Sequence, residues 1–196
     1  MKTARGYLVK IFFVRHGETD YPLVEARGVR GAATSFAPLT PVGRLQIDTI
    51  SQDFRLQSAE AILCSTFSRA LESGARLSKA LNTPLYVEYD LHEWLPQKDL
   101  MGEIDSRLLE EANKNLKEAE AQTAQEVPWE TIKEVQARAV AVLNRYREFS
   151  SLIVVTHAVV IGSIVGMERL IDHAEIVSSE LDLDDLQSIE HTQVKI

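Results

Sequence analysis

The chain has 196 residues, a length that suits one ordinary domain. Its side chains are 45% hydrophobic and 26% charged, a balance that excludes an intrinsically disordered or a collagen-like chain. Twenty-nine acidic and twenty-one basic side chains give a net charge of −8. This charge argues against nucleic acid and anionic membrane surfaces as main partners, and it leaves a small anionic substrate open.

The amino terminus is basic but lacks the apolar core of a signal peptide. Its uninterrupted apolar run covers only residues 11–14, against the roughly 7–15 residues of a signal-peptide core. No stretch approaches the ~18 apolar residues of a membrane span. The single cysteine, Cys64, cannot form an intramolecular disulfide, which is typical of a reducing compartment. We therefore expect a cytoplasmic protein.

Aliphatic and aromatic runs predict strands that are buried in a parallel sheet. The predicted strands cover residues 7–14, 59–64, 85–87, 152–155 and 192–196. Helical spacing of apolar residues predicts helices at residues 41–54, 71–81, 128–149 and 159–167. Thr40 and Pro41 supply an N-cap and a first helical residue for the first of these helices.

Two further segments are less regular. Residues 21–39 contain two glycines, two prolines and no helical period, which predicts a loop. Residues 97–127 are polar with a thin apolar stripe, and we interpret them as a helical cap segment. The alternation of strands and helices predicts a single α/β domain over residues 1–196, a three-layer α/β/α sandwich with a mainly parallel central sheet.

Unusual polar side chains follow the predicted strands. Arg15 and His16 follow the first strand, Arg69 follows the second, Glu93 the third, and His157 the long aliphatic one. The carboxyl ends of parallel strands meet at one crevice, so these side chains are expected to lie together. Guanidinium groups match the oxygens of a phosphoryl group, an imidazole can act as nucleophile, and a carboxylic acid can protonate a leaving alkoxide.

Short blocks of sequence carry a resemblance. They are R-H-G-E-T at 15–19, R-G at 30–31, P-L-T-P-V-G-R-L-Q at 38–46, S-T-F-S-R-A at 65–70, L-H-E-W at 91–94 and V-V-T-H at 154–157. In this order they resemble the histidine phosphatase superfamily, which includes cofactor-dependent phosphoglycerate mutases. The resemblance runs from about residue 10 to residue 157 and implies a phosphoglycerate mutase-like fold.

The resemblance implies roles for the matching residues. His16 would be the phosphorylated nucleophile, and Arg15, Arg69 and His157 would hold the phosphate. Glu93 would be the general acid that later activates water. Further candidates for phosphate or substrate binding lie in the matching blocks: Thr19, Arg30 and Gly31. No metal and no other cofactor is implied, because the cationic pocket supplies the charge that a metal would bring.

The implied activity is hydrolysis of small phosphate monoesters, with two alternatives. A mutase would return the phosphoryl group to a bound sugar-acid phosphate, but the segment between Glu93 and Pro128 is short for the mutase branch. A catalytically silent member would only bind a phosphorylated ligand or protein. Ala158 stands where the family usually has glycine, and residues 95–97 lack the glycine that the family often has after the acid, which leaves this alternative open. Glu18 is a rival for the acid.

Several remaining residues are expected to be structural. His92, His173 and His191 are predicted to face water, while Phe54 is predicted to pack in the core and Cys64 to be an inert buried thiol. Neither the physiological substrate nor the oligomeric state follows from these patterns.

Overall fold

The computed structural model describes residues 8–100, 106–117 and 127–183. These residues form strands β1 to β5, which are Leu8–Arg15, Ala61–Ser65, Leu85–Glu88, Ser151–Thr156 and Ile176–Asp182. The helices α1 to α6 are Tyr21–Glu25, Pro41–Ile50, Ser68–Leu81, Ser106–Lys117, Ile132–Arg145 and Ala158–Val165. No helix within the described ranges is long and apolar enough to cross a membrane.

The five strands form one sheet in the order β3-β2-β4-β1-β5. The first four strands are parallel, and β5 pairs antiparallel with β1 at one edge. Alternate residues of β1 enter different cores: Ile11 and Phe13 pack on the side of α5 and α6, and Phe12 and Val14 pack on the side of α2 and α3. The predicted three-layer sandwich with a mainly parallel sheet is therefore confirmed.

Local signals set several helix boundaries. The side chain of Thr40 accepts a hydrogen bond from the backbone N–H of Gly43 at 2.9 Å, as predicted for an N-cap. Helix α5 begins at Ile132 and not at residue 128, because Thr131 and Glu134 form a reciprocal capping box. Helix α3 ends where Asn82 adopts a left-handed conformation with φ of 53°.

Three predictions are wrong for physical reasons. The expected loop at residues 21–39 contains the short helix α1, capped by Asp20, and a 3₁₀ turn at Gly31–Phe36. The edge strand β5 was not predicted, because its Ser and acidic residues give it little apolar character. Phe54 is 80% exposed because the chain leaves α2 before it and enters another 3₁₀ turn. The strand predicted at 192–196 lies outside the described residues.

The parallel register brings the strand ends to one edge of the sheet. Arg15 of β1 pairs with Thr156 of β4, and Cys64 of β2 pairs with Val155 of β4. The residues that follow these strands therefore start from nearly the same level. The described part of the proposed cap is α4, whose Ala112 is buried in the core on the side of α5 and α6.

Candidate active site

His16 leaves the end of β1 and is almost completely buried, with 4% of its surface exposed. Its Nδ1 lies 2.8 Å from the carbonyl oxygen of Gly17. A carbonyl only accepts, so Nδ1 carries the proton and Nε2 keeps its lone pair. Burial, followed by the charges of Arg69 and Arg15, holds the pKa of His16 well below its usual value. A neutral imidazole with an unprotonated Nε2 is the form that can attack an electrophile.

Arg69 reaches the same atom from the start of α3. Its Nε donates to Nε2 of His16 at 3.1 Å, and its guanidinium lies over the rings of Phe67 and Tyr21. Ser73, one turn later, accepts from the backbone N–H of Gly17 and donates to the carbonyl of Arg69. One helix therefore fixes both the guanidinium and the turn that carries His16.

His157 caps α6 and is fully buried, with its ring centroid 5.1 Å from that of His16. Ser65 Oγ lies 2.8 Å from His157 Nε2 and accepts from the N–H of Phe67. The Ser65 hydroxyl and an imidazole N–H can each donate in this contact. The other ring nitrogen, Nδ1, is buried and has no hydrogen-bond partner in the described part of the chain.

Arg15 is held by the loop before β5. Its Nη1 donates to the carbonyl of Ile171 at 2.6 Å, and its Nη2 lies 3.1 Å from His173 Nε2. A guanidinium only donates, so His173 accepts through Nε2 and is neutral. The His173 ring is 5.5 Å from that of His16, and burial lowers its pKa. The prediction that His173 faces water is wrong, because the loop turns it back onto Arg15.

Glu93 follows β3, and its Oε1 accepts from the N–H of Trp94 at 2.9 Å. Burial raises the pKa of Glu93, while the backbone N–H groups of Trp94 and Val159 and the charge of Arg69 oppose that shift. The pKa values of Glu93 and His16 are thus shifted in opposite directions. The neighbouring His92 is buried against Phe67 and was wrongly expected to face water; its Nδ1 bonds the Glu93 carbonyl at 2.7 Å.

A buried ion pair anchors the segment that carries Glu93. Arg138 binds both carboxylate oxygens of Glu130, at 2.8 and 3.1 Å, and donates to the Asp90 carbonyl. Glu130 also accepts from the N–H of Leu95. The two ends of the segment 90–95 are therefore tied to Arg138 in α5 and to Glu130 just before it. This pair was not predicted from the sequence, because each residue alone has the pattern of an ordinary charged residue on a helix surface.

A cavity of about 690 Å³ opens beside these groups, and Arg69 and Glu93 lie in its wall. Its remaining wall is largely aromatic and aliphatic and includes Tyr21, Phe36, Phe67, Tyr89, Trp94, Leu95, Pro96, Leu100 and Leu109. A space of this size accommodates a small organic ligand.

The other predicted candidates are less central. The hydroxyl of Thr19 lies 3.4 Å from Nδ1 of His16, on the side of the ring away from Nε2. Gly31 lines the cavity with φ of +64°, but Arg30 is exposed and does not line it. Glu18 accepts from the Thr40 hydroxyl at 2.7 Å.

Ala158, the departure from the usual glycine, is the first residue of α6. A right-handed helical backbone suits alanine as well as glycine, so this position does not require glycine.

These groups can bind a tetrahedral anion between two guanidinium groups and the His157 imidazole, next to the neutral imidazole of His16 and the Glu93 carboxyl, whose pKa is raised by burial. Within residues 8–100, 106–117 and 127–183, no three His, Cys, Asp or Glu side chains are grouped to hold a metal ion.

Comparison with known proteins places this arrangement in a wider context. A sequence model of the histidine phosphatase superfamily (branch 1) matches residues 11–193. No curated protein matches the chain in sequence.

Several solved structures share the fold. A mycobacterial glucosyl-3-phosphoglycerate phosphatase in complex with VO3 is 18% identical, with a TM-score of 0.64 over 87% of this chain and 90% of that one. A putative alpha-ribazole-5'-P phosphatase from Escherichia coli is 20% identical, with a TM-score of 0.61 over 88% and 90% of the two chains. Bacillus stearothermophilus YhfR is 22% identical, with a TM-score of 0.65 over 89% and 92%.

Proposed function

Because the chain belongs to the histidine phosphatase superfamily, we propose that it hydrolyses small phosphate monoesters through a phosphohistidine on His16. The observation that carries this proposal is the unprotonated Nε2 of His16, which meets Arg69 and the His157 ring at distances that one phosphate can span. Positioning and charge stabilisation are the main requirements of phosphoryl transfer.

In the first step, the ester phosphate binds between Arg15, Arg69 and Nδ1 of His157, which carries the imidazole proton in this step and has no partner in the described part of the chain. The Arg69 Nε–H then donates to a phosphate oxygen instead of to His16 Nε2, which frees the lone pair of Nε2. Nε2 then attacks phosphorus in line, the P–O bond to the alcohol breaks, and the proton of Glu93 passes to the leaving oxygen. The raised pKa of Glu93 keeps this proton available.

In the second step, the Glu93 carboxylate accepts a proton from water as the water oxygen attacks phosphorus. The P–N bond breaks, inorganic phosphate leaves, and Glu93 and neutral His16 are regenerated. Thr19 and the Gly17 carbonyl keep the His16 ring oriented through Nδ1 during both steps. His173 acts as a positioning residue, because it holds the Arg15 guanidinium.

Hydrolysis is preferred over the two alternatives. The segment between Glu93 and Pro128 is short for a mutase, and α4 within it contributes Leu109 to the cavity wall, as a cap would. A silent binding protein would have no need of opposite pKa shifts at His16 and Glu93. A reducing compartment such as the cytoplasm is favoured because the single cysteine, Cys64, cannot form an intramolecular disulfide.

The test is turnover of p-nitrophenyl phosphate together with trapping of the phosphoenzyme. We expect the wild-type protein to release inorganic phosphate and, after rapid quenching, to carry an acid-labile, alkali-stable label on His16. His16→Ala should lose the label and fall in turnover by at least about 10³-fold, with an unchanged circular dichroism spectrum.

Other outcomes identify the alternatives. Interconversion of phosphoglycerates that depends on a bisphosphate primer would establish the mutase. Vanadate binding without any turnover or label would establish the silent member. Unchanged turnover in His16→Ala would refute the phosphohistidine.

A further inference from the structure

We infer that the preferred substrates are monoesters whose alcohol part is uncharged and apolar. This inference rests on the proposed function and names the substrate class of the same site. It is carried by the position of the cavity relative to Glu93 and by the side chains in its wall.

The position of Glu93 fixes where the alcohol part of the ester lies. A general acid must contact the leaving oxygen, and that oxygen is the atom that joins phosphorus to the alcohol. Glu93 and Arg69 both line the cavity of about 690 Å³, whereas His16 and His157 lie outside its wall. With phosphate beside the imidazoles and the leaving oxygen at Glu93, the alcohol part extends into the cavity.

The cavity wall then decides which alcohols bind well. Phe67 and Trp94 flank the catalytic groups, and Phe36 and Leu100 lie further out, where both are exposed to solvent. Apolar surface that these side chains cover on binding is removed from water, which favours an apolar alcohol.

The described part of the wall also lacks a second cation that could pair with another negative charge. Arg69 is the one lysine or arginine among the described residues that line the cavity, and phosphate occupies it. A carboxylate on the alcohol part would therefore lose water without gaining a cation. This disfavours sugar-acid phosphates, the substrates of the mutase alternative.

The test compares esters of primary alcohols, so that the chemistry of the leaving group stays nearly constant. The probes are 2-phenylethyl phosphate, ethyl phosphate and 3-phosphoglycerate. We expect kcat/KM for the phenylethyl ester to exceed that for ethyl phosphate by about 10–100-fold. 3-Phosphoglycerate should be turned over no faster than ethyl phosphate.

A matched pair of variants assigns the preference to the cavity. Phe36→Ser removes an aromatic ring from the cavity wall and should reduce the phenylethyl-to-ethyl ratio about 3–10-fold. Phe54→Ser removes an equally exposed ring that does not line the cavity, and it should leave the ratio unchanged. Both rings are mostly in solvent, with 74% and 80% of their surfaces exposed, so neither variant is expected to unfold the protein.

Binding of non-hydrolysable phosphonates separates the two proposals. If 2-phenylethylphosphonate binds at least about tenfold more tightly than ethylphosphonate but no ester is hydrolysed, the ligand class stands and the phosphatase proposal fails. If all esters are hydrolysed with equal kcat/KM, the phosphatase proposal stands and the substrate class is wrong. A preference for 3-phosphoglycerate, or equal binding of the two phosphonates, also overturns the substrate class.

Discussion

At the scale of single residues, the surroundings of Glu93 and His16, the proposed acid and nucleophile, shift their pKa values in opposite directions. Burial disfavours charge on every group, so it lowers the pKa of the His16 imidazole and raises the pKa of the Glu93 carboxyl. The guanidinium of Arg69 adds to the first shift and opposes the second. Near neutral pH the outcome is an unprotonated nucleophile beside a carboxyl that retains a proton more readily than usual, the combination that the proposed first step needs.

The role of Glu93 predicts how its removal depends on the leaving group. Glu93→Gln keeps the size of the side chain but cannot give up a proton. We expect single-turnover phosphorylation of His16 by 2-phenylethyl phosphate to slow by about 10²–10⁴-fold. Phosphorylation by p-nitrophenyl phosphate should slow much less, because p-nitrophenolate leaves without protonation. Rapid-quench measurement of the labelled enzyme gives both rates.

Glu18→Gln is the matched control, because Glu18 is the rival acid and its carboxylate already accepts from Thr40. It should leave both rates nearly unchanged. Equal slowing of the two substrates in Glu93→Gln, or a selective loss with the alkyl ester in Glu18→Gln, would contradict the assignment of Glu93 as the acid.

The site residues that sequence could predict are those at strand ends. His16, Arg69 and His157 follow buried strands, and parallel pairing was enough to bring them together. His173 could not be predicted, because it acts through Arg15, 158 positions away in sequence. The Glu130–Arg138 pair could not be predicted either, because it acts through contacts that are distant in sequence. It binds backbone groups of Asp90 and Leu95.

At the scale of elements, the turn after β1 is fitted tightly against the start of α2. A Cβ added to Gly17 would lie 2.4 Å from the carbonyl oxygen of Gly43, and one added to Gly43 would lie 2.2 Å from the carbonyl oxygen of Glu18. Both distances are shorter than any van der Waals contact. The two glycines thus allow the helix to support the backbone on either side of the nucleophile.

This close approach predicts the effect of a single methyl group. Gly43→Ala must push the Glu18 backbone away, so we expect a loss of roughly 1–3 kcal/mol in the free energy of unfolding and a displaced His16. Turnover should fall by more than the loss of folded protein can explain. Urea denaturation and kcat measured on the folded fraction check this. Leu45→Ala in the same helix changes an exposed residue and should alter neither value appreciably. Equal unfolding free energies and equal kcat values for the two variants would contradict the tight packing of the turn against α2.

The elements that sequence predicted well are the ones whose signal is local. The aliphatic run of β4 and the capped start of α2 need no distant partner to be recognised. Strand β5 is different, because Ser178 and Glu180 are exposed at the sheet edge and the strand is defined by its pairing with β1. Helix α1 depends on its Asp20 cap, which the surrounding glycines and prolines obscured.

At the scale of the whole molecule, the four described imidazoles make stability depend on pH. The pKa values of His16, His92, His157 and His173 are all lowered in the folded protein, chiefly by burial. In the unfolded chain these groups take up protons near pH 6.5. Unfolding therefore binds protons below about pH 6.5, and the stability that the neutral imidazoles contribute is lost as pH falls from there. Glu93 acts with the opposite sign, because its stabilising contribution is complete below about pH 4.5 and is lost as pH rises through its raised pKa.

The four lowered imidazole pKa values outnumber the one raised pKa of Glu93. We therefore expect the urea midpoint to decrease as pH falls from about 7 to about 5. His157→Gln removes one of the most strongly shifted groups and should make this decrease shallower. Saturating inorganic phosphate should raise the midpoint throughout, since it binds only the folded protein. It should also reduce the pH dependence, because an anion between the rings favours their protonated forms. A midpoint that stays level or rises toward pH 5 would show that these imidazoles are charged in the folded protein. That result would also contradict the proposal that His16 is a neutral nucleophile.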